Sequence, residues 1–271
     1  MKTGITMRHF KCLIIIFIFL FAGCRQEKKA VVDTNSVVIT TWNVRGYPEK
    51  EEMNRQWFHK QLIKISPDII CIQEIANQAD VDKFLATESH FNKAAFVDSP
   101  DGQDNAIFCD SRIEMKDLPD PVGFQHPAQA VYIACGGFDA VIVTVHLSWT
   151  NLEMREKEKV LLKNVVTEML KIDPDVIILG DFNTEKEDIE ELARSIGMVV
   201  MVPQGQEEVG TTHAGHQYDH FMISPDLADE EAISCHINTY TNDELSIAKK
   251  VSDHLSITAV FRTDSKFRDR K

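Results

Sequence analysis

Residues 176–183 read Val176-Ile177-Ile178-Leu179-Gly180-Asp181-Phe182-Asn183. Four consecutive apolar residues predict a strand buried on both faces. Gly180 permits a tight exit from that strand, and alternation points Asp181 and Asn183 to one side, so two oxygen-bearing groups face one spot. Outward along the chain the same pattern recurs. Asn43 follows Ile39-Thr40-Thr41-Trp42, Glu74 follows Ile69-Ile70-Cys71-Ile72-Gln73, and His146 follows Val143-Thr144-Val145. Polar groups at the carboxyl ends of strands in α/β sheets commonly line the ligand crevice. A single Asn or Asp after a strand is as readily a turn or cap residue; four such ends point to one convergent site.

Between these runs lie amphipathic stretches. Strand-like Val37 to Trp42 is followed by Glu51 to Ile65, then by strand-like Asp68 to Ile72 and by Ala79 to Thr87, and this alternation indicates α/β. Further strand candidates are Asn105–Cys109, Ala130–Ala134, Ala140–Val145, Asp175–Leu179, Tyr218–Ile223 and Ile257–Arg262, enough for more than one sheet. Leu162, Val166 and Leu170 lie four apart within Leu152–Lys171, the spacing of a helix covering a sheet. No repeat or Pro/Gly-rich linker divides the body, so one domain is expected over 37–263, with a charged tail at 264–271.

Composition narrows the function classes. The chain has 271 residues, 44% hydrophobic and 26% charged, with only 12 Gly and 9 Pro, which excludes collagen-like and low-complexity readings. Lys2, Arg8 and Lys11 precede the apolar run Cys12–Ala22, which ends in Phe21-Ala22-Gly23-Cys24. The run is shorter than the roughly 20 residues a helical bilayer crossing needs. The order basic, apolar, small is that of an export signal, and the last four residues resemble a bacterial lipobox. Residues 1–23 are therefore expected to be a lipoprotein signal peptide, Cys24 its lipidation site and 24–36 a tether. The expected location is a bacterial membrane, facing periplasm or cell surface. Net charge is −13, and removing 1–23 takes away three cations and no acid. Such a surface repels long polyphosphate backbones unless a local patch or bound cations reverse the field. The remaining cysteines, Cys71, Cys109, Cys135 and Cys235, have no zinc-ribbon spacing. They read as buried thiols, with a Cys109–Cys135 disulfide as the alternative.

Near the carboxyl end Ser252-Asp253-His254 pairs a ligand suited to a hard cation with an imidazole able to move protons. Asp219, in Tyr218-Asp219-His220, is available to orient His254 and stabilise its protonated form, while His220 faces the other side of its strand.

Taken in order, Thr41-Trp42-Asn43-Val44, Gln73-Glu74, Asn105-Ala106-Ile107, Thr144-Val145-His146-Leu147, Gly180-Asp181-Phe182-Asn183, Tyr218-Asp219-His220 and Ser252-Asp253-His254 resemble the blocks of the endonuclease/exonuclease/phosphatase superfamily. The blocks span residues 41–254. The resemblance implies a DNase I-like fold, a four-layer α/β/β/α sandwich of two packed, mainly antiparallel (mixed) sheets flanked by helices. It also implies hydrolysis of phosphate esters by water attack. Carried over, Glu74 resembles the principal metal ligand, with Asn43 and Asp253 completing an oxygen site for Mg²⁺ or Mn²⁺. His254, oriented by Asp219, resembles the proton-transfer residue. Asp181 and Asn183 resemble the groups that activate water and hold phosphate oxygen, and His146 binds phosphate or protonates the leaving group. Asn105 is a candidate substrate contact or a strand-start cap, and Arg112 a phosphate contact or a surface ion pair. Gln217-Tyr218-Asp219 departs from the family's common Arg-Ile-Asp, removing one positive contact. His213 and His216 stay outside the core site. Trp149 packs at the rim or stacks on a substrate ring. The expected partner is a phosphate ester, nucleic acid among the possibilities, acted on by a monomeric, membrane-anchored enzyme. The competing readings are a nuclease proper and a noncatalytic ligand-binding lipoprotein on the same fold.

Overall fold

The computed structural model describes residues 35–47, 52–100 and 102–264. The expected signal segment, Cys24, the tether up to residue 34 and the tail from residue 265 lie outside the described residues. The strands are β1 (Ser36–Asn43), β2 (Ile69–Ile75), β3 (Phe91–Phe96), β4 (Asp104–Asp110), β5 (Glu114–Asp117), β6 (Gln129–Cys135), β7 (Phe138–His146), β8 (Val176–Asp181), β9 (Val199–Val200), β10 (Asp219–Ile223), β11 (Ala232–Ile237) and β12 (Ile257–Arg262). The helices are α1 (Glu52–Ile65), α2 (Gln78–Thr87), α3 (Leu152–Met169), α4 (Lys186–Ile196), α5 (Pro225–Glu230) and α6 (Leu245–Val251).

One sheet has the order β11-β12-β1-β2-β4-β3 and the other β5-β6-β7-β8-β10-β9. Each is mixed. β1 and β2 run parallel, as do β7 and β8, while the other pairs are antiparallel. This is the α/β/β/α sandwich that the family resemblance implies.

The continuous apolar runs follow from burial on both faces. In β1 and β2, Val37, Ile39, Ile69 and Cys71 face inward, where they meet Ile142, Ile177, Leu179 and Phe221 of the other sheet. Ile70 and Ile72 turn outward onto Phe58, Leu62 and Phe84 from α1 and α2. Val143, Val145 and Ile178 face outward from the second sheet onto Leu162 and Val166 of α3 and Ile189 of α4. Asn151 starts α3, its side chain accepting the Met154 N–H at 3.0 Å, as an N-cap should. The four cysteines among the described residues are free thiols, with Cys109 in β4 and Cys135 in β6 of opposite sheets. Among the described residues no helix is long and apolar enough to cross a membrane.

Candidate active site

The two parallel pairs deliver their carboxyl ends to the same edge. Asn43 and Glu74 arrive there from β1 and β2, and His146 and Asp181 from β7 and β8, where the two residues are register partners. Asp219 opens the antiparallel β10 opposite Asp181. The loop before β12 brings Asp253 and His254 to the same cleft. Two local devices aim the side chains. The pairing of β2 with β4 shifts register between Gln73 and Ile75, and Glu74, at φ +63°, sits in that bulge. Bulges re-aim a side chain in this way. Gly180 has φ +133°, and a Cβ there would lie 2.0 Å from the carbonyl oxygen of Val145. Only glycine lets β8 approach β7 this closely just before Asp181.

Asp181 is the hub. Its Oδ2 accepts from Asn43 Nδ2 at 3.0 Å and lies 3.6 Å from His254 Nε2 and 3.7 Å from His146 Nε2. Its Oδ1 accepts the Asn183 N–H at 2.8 Å. The Asn43 amide also donates to Glu74 Oε1 at 3.0 Å. His254 Nδ1 meets Asp219 Oδ2 at 2.8 Å, and Ser252 Oγ donates to the Asn43 carbonyl at 2.6 Å while accepting the His254 N–H. Asn183 reaches the cleft from a turn rather than by strand alternation. It lies past the end of β8 with φ +47°, and its amide donates to the Leu147 carbonyl at 2.8 Å.

The charges are set by burial and by one another. Burial raises the Glu74 carboxyl above its ordinary value against the Asn43 hydrogen bond, and Asp181 and Asp253 push it further. Burial lifts Asp219 to about 6 despite the pull of His254. Burial disfavours protonated His254, yet the charge and hydrogen bond of Asp219, with Asp181 and Asp253, outweigh it and carry the imidazole to about 10. At neutral pH the pair is therefore imidazolium and carboxylate.

The donor set fits a hard divalent cation. Carboxylate and amide oxygens crowd one wall, and the charge of Asp181 and Asp253 already strains the ionised form of Glu74. Glu74 and Asp253 are open to the cleft, with side chains 22% and 57% exposed. The Asn43 oxygen accepts the Arg45 N–H at 3.0 Å, so it would have to share that contact to serve as a ligand. Asp181, Asp219 and His254 also hold donor atoms within 4.8 Å of one another, with Asp219 Oδ2 and His254 Nδ1 already spent on each other.

Not every candidate reaches the cleft. Arg112 follows the far end of β4 and pairs with Asp68 and Asp110. Asn105 lies across from Gln73 and donates to the Pro127 carbonyl at 2.7 Å, anchoring a loop. That loop carries a residue the sequence reading passed over. His126, buried, stacks on His146 with ring centroids 4.6 Å apart and planes 20° apart. Fully buried Glu158 is a second such residue. Its two oxygens accept the Gln125 and Ser148 N–H groups at 2.7 and 2.8 Å, joining this loop to the one after β7. Arg45 lines the cleft with φ +51°, 4.0 Å from Asp253. No local sequence pattern marks His126 or Arg45; Glu158 carries a hint, as an acid on the apolar face of α3. His216 lines the cleft stacked on Tyr218.

Fold and site together define an α/β/β/α sandwich with a carboxylate–histidine cleft at one sheet edge. The chain belongs to the Endonuclease/Exonuclease/phosphatase family, which matches residues 40–254. Similar solved structures include Caenorhabditis elegans TDP2, at TM-score 0.63 and 17% identity, covering 84% of this chain and 98% of that one. The human Nocturnin catalytic domain with bound sulfate aligns at TM-score 0.63 and 18% identity, covering 83% and 94%. The mannosyl-6-phosphatase of Bacteroides thetaiotaomicron aligns at TM-score 0.60 and 14% identity, covering 82% and 98%. At these identities the likeness is one of fold. No curated protein gives a significant match.

Proposed function

We propose that the protein is a divalent-metal-dependent hydrolase of phosphate esters, exported through residues 1–23 and anchored to a bacterial membrane by lipid on Cys24. The observation that carries the chemistry is the position of Asp181 Oδ2, within 4 Å of both His254 Nε2 and His146 Nε2 and held there by Asn43. Ester hydrolysis needs charge neutralised on the phosphoryl oxygens, an oriented water and a proton for the departing alkoxide. Asp181 takes the proton of the attacking water, with Asn183 positioning it. His254, kept protonated by Asp219, presents Nε2–H to a phosphoryl oxygen. His146 supplies the proton to the leaving oxygen. A Mg²⁺ or Mn²⁺ held by Glu74, Asp253 and Asn43 would neutralise phosphoryl charge and polarise the phosphorus centre. Family membership and a phosphatase among the structural neighbours support this reading.

The test is phosphate or alcohol release from a panel of mono- and diesters, DNA and RNA included, with Mg²⁺, Mn²⁺ or a chelator. Turnover with metal and none with chelator is expected. Ligand binding without turnover on any ester would leave a noncatalytic module instead. The anchor is checked by Cys24→Ala, which should release the protein from the membrane fraction.

A further inference from the structure

The cleft has aromatic walls whose cost the hydrolytic groups do not explain. The three tryptophans divide sharply. Trp42 and Trp57 are 1% and 7% exposed, whereas Trp149 is 59% exposed and lines the cleft that holds Asp181 and His254. Its loop is fixed from behind: the preceding Ser148 N–H is bound by Glu158 at 2.8 Å, and Ser148 Oγ accepts the Asn151 N–H at 3.3 Å. In the same cleft Tyr218 and His216 lie face to face, centroids 4.7 Å apart and planes 4° apart. That pair is pinned too. Glu185 takes His216 Nδ1 at 2.8 Å and the Gln217 N–H at 3.1 Å, and Thr211 Oγ1 accepts the Tyr218 N–H at 2.9 Å. An exposed indole and a stacked Tyr–His pair on anchored backbone, beside a polar centre, are arranged to receive a flat partner.

Charge limits how large that partner is. Among the described residues lining the cleft, Arg45 is the only lysine or arginine, and it is already 4.0 Å from Asp253. A polynucleotide needs several cations along its path, and this lining offers one.

Resting on the hydrolase reading above, we infer that Trp149 and the Tyr218–His216 pair form the leaving-group subsite for a small ester, one phosphate on an alcohol that carries a flat-faced ring. A pyranose, which offers its C–H face, and a nucleobase, which offers its π-face, share this chemistry.

Because Trp149 is the exposed tryptophan, its fluorescence reports occupancy independently of turnover. The full chain with Mg²⁺ is mixed with a nucleoside monophosphate, a hexose phosphate, glycerol phosphate or a single-stranded oligonucleotide. Saturable quenching by one or both ring esters, weaker by glycerol phosphate and lost in Trp149→Ala, is expected. The hexose and nucleoside arms decide which ring is preferred. In turnover, Trp149→Ala should lower the kcat/KM preference for ring over acyclic ester by on the order of three- to tenfold. Equal responses to ring and acyclic esters, no response to any monoester, or oligonucleotide binding far tighter than any monoester would overturn the subsite. Ring-selective quenching without hydrolysis of any ester would keep the subsite and remove the hydrolase reading.

Discussion

Asn43, at the end of β1, donates through one amide nitrogen to Asp181, at the end of β8 in the opposite sheet, and to Glu74 beside it, both at 3.0 Å. A buried amide thus holds two carboxylates of one cleft in register across the sandwich. A second tie lies deeper: Gln73 Nε2 donates to Thr144 Oγ1 at 2.9 Å, again from sheet to sheet. Asn43→Ala removes the donor from both carboxylates and the acceptor from the Arg45 N–H. A loss of about 1–3 kcal/mol is expected in urea unfolding, together with loss of hydrolysis, because Asp181 is no longer fixed between the histidines. Wild-type unfolding and turnover in this variant would show that the amide bridge is incidental.

Asp219 acts through charge as much as through position. Asp219→Asn keeps the volume and a contact to His254 Nδ1 but cannot stabilise the imidazolium. Turnover should fall on the order of 10²–10⁴-fold, with circular dichroism and the unfolding midpoint little altered. A variant that turns over as fast as the wild type would break the assignment of His254 as a cation oriented by Asp219.

His220 gives the fold a pH dependence of its own. It is buried, 3.2 Å from the Thr184 carbonyl and edge-on to Phe182, and burial lowers its pKa below 6.5 despite that carbonyl. Its folded value is depressed, so its neutral form is preferred in the native state. Stability is fully present above 6.5 and is lost as pH falls toward the folded value, since the unfolded chain binds a proton that the folded chain refuses. Unfolding free energies of the wild type and His220→Leu should diverge as the pH falls below about 6.5, the wild type losing up to about 1.4 kcal/mol more per pH unit. Parallel curves would place the acid sensitivity elsewhere.

Glu158 clamps two loops with one carboxylate. Glu158→Leu leaves the buried Ser148 N–H without an acceptor, at about 1–3 kcal/mol, and releases the Gln125 N–H of the neighbouring loop. Glu158→Gln can still accept one of them. Thermal unfolding should therefore order wild type, Glu158→Gln and Glu158→Leu, and turnover should follow the same order because the two loops flank His146 and carry His126 and Trp149. Equal melting of all three proteins would contradict the clamp.

What the sequence discloses and what it hides have physical causes. The central strands β1, β2, β7 and β8 are legible because burial on both faces forces unbroken apolar runs, and their terminal polar residues stand out against those runs. Edge strands are not. Phe91–Phe96 and Ala232–Ile237 mix polar and apolar residues, since one of their faces meets solvent, and Val199–Val200 is too short to read. Helix α4 carries a readable stripe, Ile189, Leu192, Ala193 and Ile196, with Gly197 as its C-cap. In the site, the strand-end residues converge as their spacing implies, whereas His126 and Glu158 act across 20 and 10 residues of chain through loop packing, which no local pattern encodes. Arg112 shows the converse: a cation near a strand reads as a ligand contact until the strand's direction places it at the far end.

Gly180 tests how closely geometry at the cleft is bound to the fold. Its backbone lies at φ +133°, and the Val145 carbonyl oxygen would stand 2.0 Å from an added Cβ. The obstructing atom is backbone within a parallel strand pair, so no side chain can yield; β8 or β7 must shift and break the ladder from Val145 to Gly180. Gly197, by contrast, caps α4 at φ +77° with nothing within 4 Å of the added atom. Gly197→Ala should therefore cost only the left-handed backbone penalty, about 1–2 kcal/mol. Gly180→Ala should cost at least twice as much, on the order of 3–5 kcal/mol by overpacking and lost strand pairing, and any soluble protein should have lost hydrolysis, because Asp181 moves with the strand. Comparable melting temperatures for the two alanine variants would mean that the close approach of β7 and β8 is not what fixes Asp181.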